Sequence, residues 1–416
     1  MRQYDKYINP GLEWISRIPS HWSSMPLKRY GRFNKGLTFT KADLVEDGHP
    51  VVSYGQVHSK NNNGTHLNDE LIRFVPERFI ENSYNSFVRK GDFIFADTSE
   101  DLEGSGNVVY NDKDMLIYGG YHTVLFQTKN DDNRYLAYLF STDCWRSQVR
   151  SRVSGIKVFS ITQGILSMTN IILPPEDEQK VIADYLDEKT AKIDNIIRAR
   201  KKKILLLEEL KASIITKAVT KGIKKNVMYK DSGIAWIGSI PSHWDICPLK
   251  RCLSLKNGQD YKHIETEKGF PVYGSGGVFK HASKYLYDGE SVLFGRKGTI
   301  DRPLYVVGKF WTVDTMFYSI PKVGINCKYM YYQGLTIPFD RYSTSTALPS
   351  MTQTDLGSHI VCKPPIEEQN EIVMFIDNQL NLINNNIGKA QYEIELLKEY
   401  RSSLVTEVVT GKRKVI

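Results

Sequence analysis

The sequence predicts an α+β protein: two mostly β domains joined by two long helices that pair as an antiparallel coiled coil, with an internal pseudo-twofold repeat. Three observations carry this prediction. Landmark motifs are written twice, apolar residues repeat at heptad spacing after each of two Pro-Pro pairs, and the remaining stretches are rich in Tyr, Phe, Val and Gly. At 416 residues the chain has room for two to three domains, and with 41% hydrophobic and 25% charged residues it has an ordinary globular composition. The formal charge of +8 permits a nucleic-acid partner without requiring one.

The repeat sets the frame. Gly11-Leu12-Glu13-Trp14-Ile15-Ser16-Arg17-Ile18-Pro19-Ser20-His21-Trp22 returns as Gly233-Ile234-Ala235-Trp236-Ile237-Gly238-Ser239-Ile240-Pro241-Ser242-His243-Trp244, and Pro26-Leu27-Lys28-Arg29 returns as Pro248-Leu249-Lys250-Arg251, both at a shift of 222. Pro174-Pro175-Glu176-Asp177-Glu178-Gln179 matches Pro364-Pro365-Ile366-Glu367-Glu368-Gln369, and Ile161-Thr162-Gln163 matches Met351-Thr352-Gln353, at a shift of 190. The two shifts differ by 32, and the first half is longer between its landmarks by that amount. Landmarks kept while the filling changes length describe one frame with two different inserts.

Each Pro-Pro pair opens a helix. Proline suits the first turn, where its missing N–H would have no partner, and the acids that follow complement the helix dipole. Leu186, Ile193, Ile197, Ile204, Leu207 and Ile214 form the apolar rows of the first helix. Ile376, Ile383, Ile387, Ile394, Leu397 and Leu404 repeat them at the shift of 190. At 1.5 Å per residue each helix runs about 60 to 70 Å, and the simplest burial for its stripe is the other helix. Packing on a separate subunit is the alternative, and Arg200 and Asn384, Asn385 and Asn386 interrupt the seam.

The chain thus divides into a β domain at 1–173, a helical spacer at 174–222, a second β domain at 223–362 and a second spacer at 363–416. Short runs such as Asp92-Phe93-Ile94-Phe95-Ala96, Val108-Val109-Tyr110 and Ser291-Val292-Leu293-Phe294 read as strands. Lys90 to Phe95 resembles Asp288 to Leu293, and His122 to Phe126 resembles Asp314 to Tyr318, so the scaffold strands match while the loops between them differ. One scaffold with different loops is how a fold acquires two specificities.

Catalytic chemistry is missing from the sequence. No Gly-x-x-x-x-Gly-Lys-[Ser/Thr] loop and no Asn-Pro-Pro-aromatic motif occurs, and Tyr273-Gly274-Ser275-Gly276-Gly277 reads as a turn. Glu178-Gln179-Lys180 opens a helix and becomes Glu368-Gln369-Asn370 in the repeat, against a nuclease site there; His21 and His243 read as packed corners. The five cysteines, Cys144, Cys247, Cys252, Cys327 and Cys362, have no Cys-x-x-Cys pair, which argues against a disulfide framework or a zinc site and for a reducing cytoplasm. Every apolar run falls well short of the roughly 18 residues that mark a spanning helix, so neither export nor membrane spanning is expected.

Two ordered copies of Trp-Ile-x-x-Ile-Pro-x-His-Trp, Pro-Leu-Lys-Arg, a variable domain and Pro-Pro-x-x-Glu-Gln with its long helix resemble the specificity (S) subunit of type I restriction-modification systems, over essentially the whole chain. The resemblance implies a noncatalytic DNA-reading subunit. Its two target-recognition domains each bind one half of a split site, and its helical conserved regions space them and dock two methyltransferase (M) subunits. It further implies that S-adenosylmethionine is bound by those partners, and that ATP and Mg serve restriction (R) subunits where these join. The length difference between the halves implies an asymmetric target.

Charge says where DNA contacts are expected. The excess lies mainly in residues 223–362, and neither domain is a basic blanket, so contacts come from clustered loops. Polarity and loop position select Tyr54, Gln56, Arg150, Arg152 and Lys157 in the first domain, and Tyr273, Arg296, Lys297, Arg341 and Ser343 in the second. Arg146, Lys280, Lys284 and Arg302 belong to the same basic clusters, and Arg198-Ala199-Arg200-Lys201-Lys202-Lys203 reads equally as a solvated helix face or a contact to a DNA backbone. A reading from another class is a coiled-coil scaffold with two β protein-binding modules. A self-sufficient methyltransferase is disfavoured because no cofactor loop is present.

Overall fold

The computed structural model describes residues 3–81, 83, 85–342 and 349–415; Ser343 lies outside the described residues. The chain forms two compact units, Met1–Ala199 with Glu393–Ile416, and Arg200–Tyr392. Two helices begin immediately after the Pro-Pro pairs, Glu176–Lys221 with 46 residues and Ile366–Val409 with 44, so each unit holds one β domain and a part of both helices.

In the first unit a four-stranded antiparallel sheet has the order Val108–Tyr110, Phe93–Ala96, Thr123–Thr128, Gly31–Lys35. A second sheet has the order Arg73–Val75, His49–Val52, Ile117–Gly119, Phe87–Val88, with its middle pair parallel. Helices Arg134–Ser141 and Asp143–Arg150 cover the first sheet, where Phe140 meets Trp145 and Phe93 with ring centroids 4.4 and 5.0 Å apart. Such aromatic pairs add about 1 kcal/mol each beyond the area they bury.

The second unit joins seven strands in the order Leu253–Asn257, Met316–Pro321, Tyr287–Gly295, Leu304–Thr312, Phe270–Gly274, Gly277–Ala282, Glu265–Thr266. It contains one parallel pair too, Phe270–Gly274 beside Leu304–Thr312. The glycine-rich run is the hairpin turn between Phe270–Gly274 and Gly277–Ala282, with Gly277 at φ 104°.

The strand pairs of the two units correspond. Thr123 faces Ala96 as Met316 faces Gly295, and Val124 faces Lys35 as Phe317 faces Asn257. Both correspondences lie one residue away from those suggested by sequence, at shifts of 199 and 193 rather than 198 and 192. A one-residue slip exchanges the faces of a strand, and alternation normally prevents it. Here Phe93–Ala96 and the last five residues of Tyr287–Gly295 are buried at every position, so no alternation marks the register.

Within each unit the helix segments run antiparallel. In the first, Tyr4 reaches Glu178 and lies under Lys414, while farther along Asp194 pairs with Arg401 at 3.2 Å. In the second, Lys224 pairs with Glu371 at 3.3 Å and Lys211 donates to Asn384 at 3.3 Å. Leu186, Ile193, Ile197, Ile376, Ile383, Ile387, Ile394 and Leu404 are buried, and Ile204, Leu207, Ile214 and Leu397 are half-buried. Thr190, Ile215, Ala218, Val219, Ala390, Val405 and Val408 join them, small or β-branched positions that the heptad rows did not select.

Candidate nucleic-acid interface

The repeated motifs fasten each β domain to its helices. Gln179 and Gln369 each turn back so that Nε2 donates to the first proline of the Pro-Pro pair, Pro174 O and Pro364 O, both at 2.9 Å. One residue earlier, buried Glu178 and Glu368 accept from His21 Nε2 and His243 Nε2, each at 2.8 Å. Tyr4 Oη donates to Glu178 at 2.6 Å and Trp244 Nε1 to Glu368 at 3.1 Å. A carboxylate in the first helical turn is favoured by the dipole, and these donors satisfy its buried oxygens. The repeated Trp-Ile-x-x-Ile-Pro-x-His-Trp motif is therefore a structural corner.

Tyrosines close the far helix ends. Tyr135 Oη donates to Val409 O at 2.9 Å and Ile172 O at 3.1 Å, and Tyr329 Oη to Val219 O at 3.3 Å and Cys362 O at 3.2 Å. The last carbonyls of a helix lack intrahelical partners, and a buried phenol supplies them. Burial pushes both phenols well above their usual pKa, which keeps them as donors. Asp187 accepts from Tyr138 Oη at 2.7 Å, and Asp377 accepts from Tyr332 Oη in the same way. Sequence reasoning missed these tyrosines, because their partners are tens to hundreds of residues away.

In the first domain the candidates divide. Tyr54 is half-buried in the short helix Tyr54–Val57, its Oη 3.3 Å from Glu100. Gln56 Oε1 accepts from Ser53 N at 3.1 Å, as the Ser-x-x-Gln spacing foretells, so this amide is committed to a helix start. Arg150 is half-buried, bonded to Glu103 O at 2.7 Å and paired with Asp143 at 2.9 Å. Neighbouring Arg146 is held by Asn107 at 2.7 Å and Phe140 O at 3.0 Å, and burial pulls its pKa down to about 10. Arg152 and Lys157 are exposed; Arg152 donates to Gln148 O at 2.6 Å.

In the second domain Tyr273 is half-buried against Phe310, with centroids 6.1 Å apart. Arg296 and Lys297 leave the end of strand Tyr287–Gly295, Arg296 half-buried and Lys297 exposed. Arg341 is exposed at the end of the turn Phe339–Arg341. Lys280 is paired with Glu265 at 2.6 Å, a surface pair. Among the described residues no group of three His, Cys, Asp or Glu is placed to hold a metal ion, and no helix is long and apolar enough to cross a membrane.

Two β domains of one scaffold with unlike loops, each fastened to both of two antiparallel helices, define a class of internally duplicated recognition protein. Residues 19–206 and 242–396 match the family described as type I restriction modification DNA specificity domain, and the chain belongs to that family. It is 24% identical over 319 residues to the type I restriction enzyme MjaVIII specificity subunit of Methanocaldococcus jannaschii, covering 68% of this chain and 71% of the relative. To the EcoKI specificity subunit of Escherichia coli it is 22% identical over 442 residues, covering 94% and 91%. A solved chain from work on assembly and conformational transition of the type I R-M system shares the fold, with TM-score 0.72, 14% identity and coverage of 95% and 99%. The HsdS subunit from Thermoanaerobacter tengcongensis gives TM-score 0.53 at 15% identity, covering 95% of this chain and 98% of that one. The chain is a type I restriction-modification specificity subunit with a DNA-recognition role.

Proposed function

We propose that each β domain reads one half of an asymmetric bipartite DNA site and that the helices fix the spacing and dock two methyltransferase subunits. The observation that carries this reading is one scaffold holding unlike loops at corresponding positions. Two different half-sites need two different side-chain sets on a shared frame, whereas a symmetric site does not. The chain itself is noncatalytic in this reading. S-adenosylmethionine belongs to the methyltransferase partners, and ATP and Mg to restriction subunits where they take part, all in the cytoplasm with the DNA. Exposed Leu205, Leu206, Leu210, Leu382, Leu396 and Tyr400 on the helices supply apolar surface for those partners.

Exposed Arg152, Lys157, Lys297 and Arg341 are proposed to position phosphates, with Tyr54, Tyr273 and Arg296 nearer the bases. Gln56 and Arg150 keep the first domain's loops in place and act through them. The test is binding of duplex DNA by the assembled complex across a salt series. A steep loss of affinity between about 50 and 200 mM salt is expected. Salt-independent or absent binding would instead favour a coiled-coil scaffold with protein-binding modules.

A further inference from the structure

The correspondence between the two sheets places Asp97 and Arg296 at one position of the scaffold. Asp97 N donates to His122 O at 3.1 Å, and its carbonyl accepts from Ile161 N at 2.7 Å. Arg296 N donates to Thr315 O at 2.8 Å, and its carbonyl accepts from Met351 N at 3.0 Å. The next residues repeat the match, with Thr98 paired to Ser160 and Lys297 bridged to Ser350. The backbone is therefore held alike in both domains while the side chain changes from a carboxylate to a guanidinium.

Their surroundings differ in the same sense. Asp97 Oδ1 lies 3.2 Å from His122 Nδ1, on the wall of a cleft of about 740 Å³ that Lys35, Tyr121 and Gln163 also line. His122 adopts φ 55°, while Thr315, its counterpart, does not take a positive φ. Among the described residues no carboxylate pairs with Arg296, whose Nη1 makes only a 3.4 Å contact with Asp314 O. One site offers acceptors oriented by an imidazole, and the other offers donors not tied to an acid.

We propose that Asp97 and Arg296 are corresponding base-reading residues of opposite hydrogen-bond sense. In the major groove a guanidinium matches the O6 and N7 acceptors of guanine, and a carboxylate matches an exocyclic amino group, foremost N4 of cytosine. Arg296 thus selects guanine in the half-site of the second domain. Asp97, steadied by His122, selects a base presenting an amino donor in the half-site of the first. The proposal rests on the DNA-reading role of the two domains and deepens it.

The test is long-read methylome sequencing of a host that expresses the full chain with its methyltransferase partners. Arg296→Ala is expected to relax one guanine position in one half of the motif, with discrimination falling about 5- to 150-fold, and to leave the other half intact. Arg296→Lys, which loses the planar fork but can still donate to O6 and N7, is expected to keep a weakened guanine preference at the same position. Asp97→Ala is expected to relax an amino-bearing base in the opposite half. The unchanged half of each motif shows that the variant is folded and assembled. Unaltered preferences in either Arg296→Ala or Asp97→Ala overturn the proposal. A wild-type complex that methylates no bipartite motif would instead defeat the DNA-reading role itself.

Discussion

Residues 97–103 and 296–302 leave corresponding strand ends, yet the first segment carries Asp97, Glu100, Asp101 and Glu103 with no cation, and the second carries Arg296, Lys297 and Arg302 with one acid, Asp301. Tyr54, Asp101 and Glu103 line a cleft of about 560 Å³ in the first domain, which makes that surface acceptor-rich. The helix corners of the two domains repeat one contact, with His21 on Glu178 and His243 on Glu368. What the two domains share is fastening, and what they do not share is the chemistry at the strand end. The modest net charge of the whole chain hides this division, because it averages an acidic loop with a basic one.

If fastening is common to both domains, seam truncations should cost the same in each. Leu186→Ala and Ile376→Ala, at corresponding fully buried positions, are each expected to lose about 2–5 kcal/mol, read from denaturant unfolding followed by hydrogen exchange in each unit. A large inequality would break the comparison. Acidification should then separate the units. Buried His359, stacked on Trp236 at 4.7 Å, has its pKa pulled down to about 4 by desolvation. The unfolded chain takes that proton near pH 6.5 and the folded unit only near pH 4, so stability is full above 6.5 and falls as pH drops through this window, by about 2 kcal/mol at pH 5.

His66 in the first unit behaves oppositely. Its bond to Asp112 at 2.9 Å raises its pKa, so its contribution is full below its unfolded pKa and is lost as pH rises through the folded value. Hydrogen exchange between pH 8 and 5 is expected to show the second unit loosening first. Smaller effects follow from single hydrogen bonds. Trp244→Phe is expected to cost about 1 kcal/mol more than Trp22→Phe in thermal unfolding, since Trp244 Nε1 is bonded to Glu368 while buried Trp22 Nε1 has no partner among the described residues. Tyr135→Phe is expected to cost about 1 kcal/mol and Tyr329→Phe less, because Gln333 also donates to Val219 O at 3.0 Å.

The long helices and their antiparallel seam were legible because landmarks at fixed shifts and heptad rows are local signals that survive duplication. The helix starts were legible because Pro-Pro followed by acids has one physical reading. The strand register was not, since Phe93–Ala96 is buried on both faces and carries no alternation. That one-residue slip hid the correspondence of Asp97 with Arg296, which only the hydrogen-bonded register reveals. Gln56 could have been read as a capping residue from its Ser-x-x-Gln spacing. The engagement of Arg150 and Arg146 could not, because Glu103 and Asn107 are brought to them by the fold.

The measurement that tests the central claim most directly is the methylome of a host carrying a chimaera in which residues 1–173 are replaced by the equivalent segment of another family member. One half of the methylated motif is predicted to change and the other to persist. A change in both halves, or in neither, would contradict the assignment of one half-site to each domain.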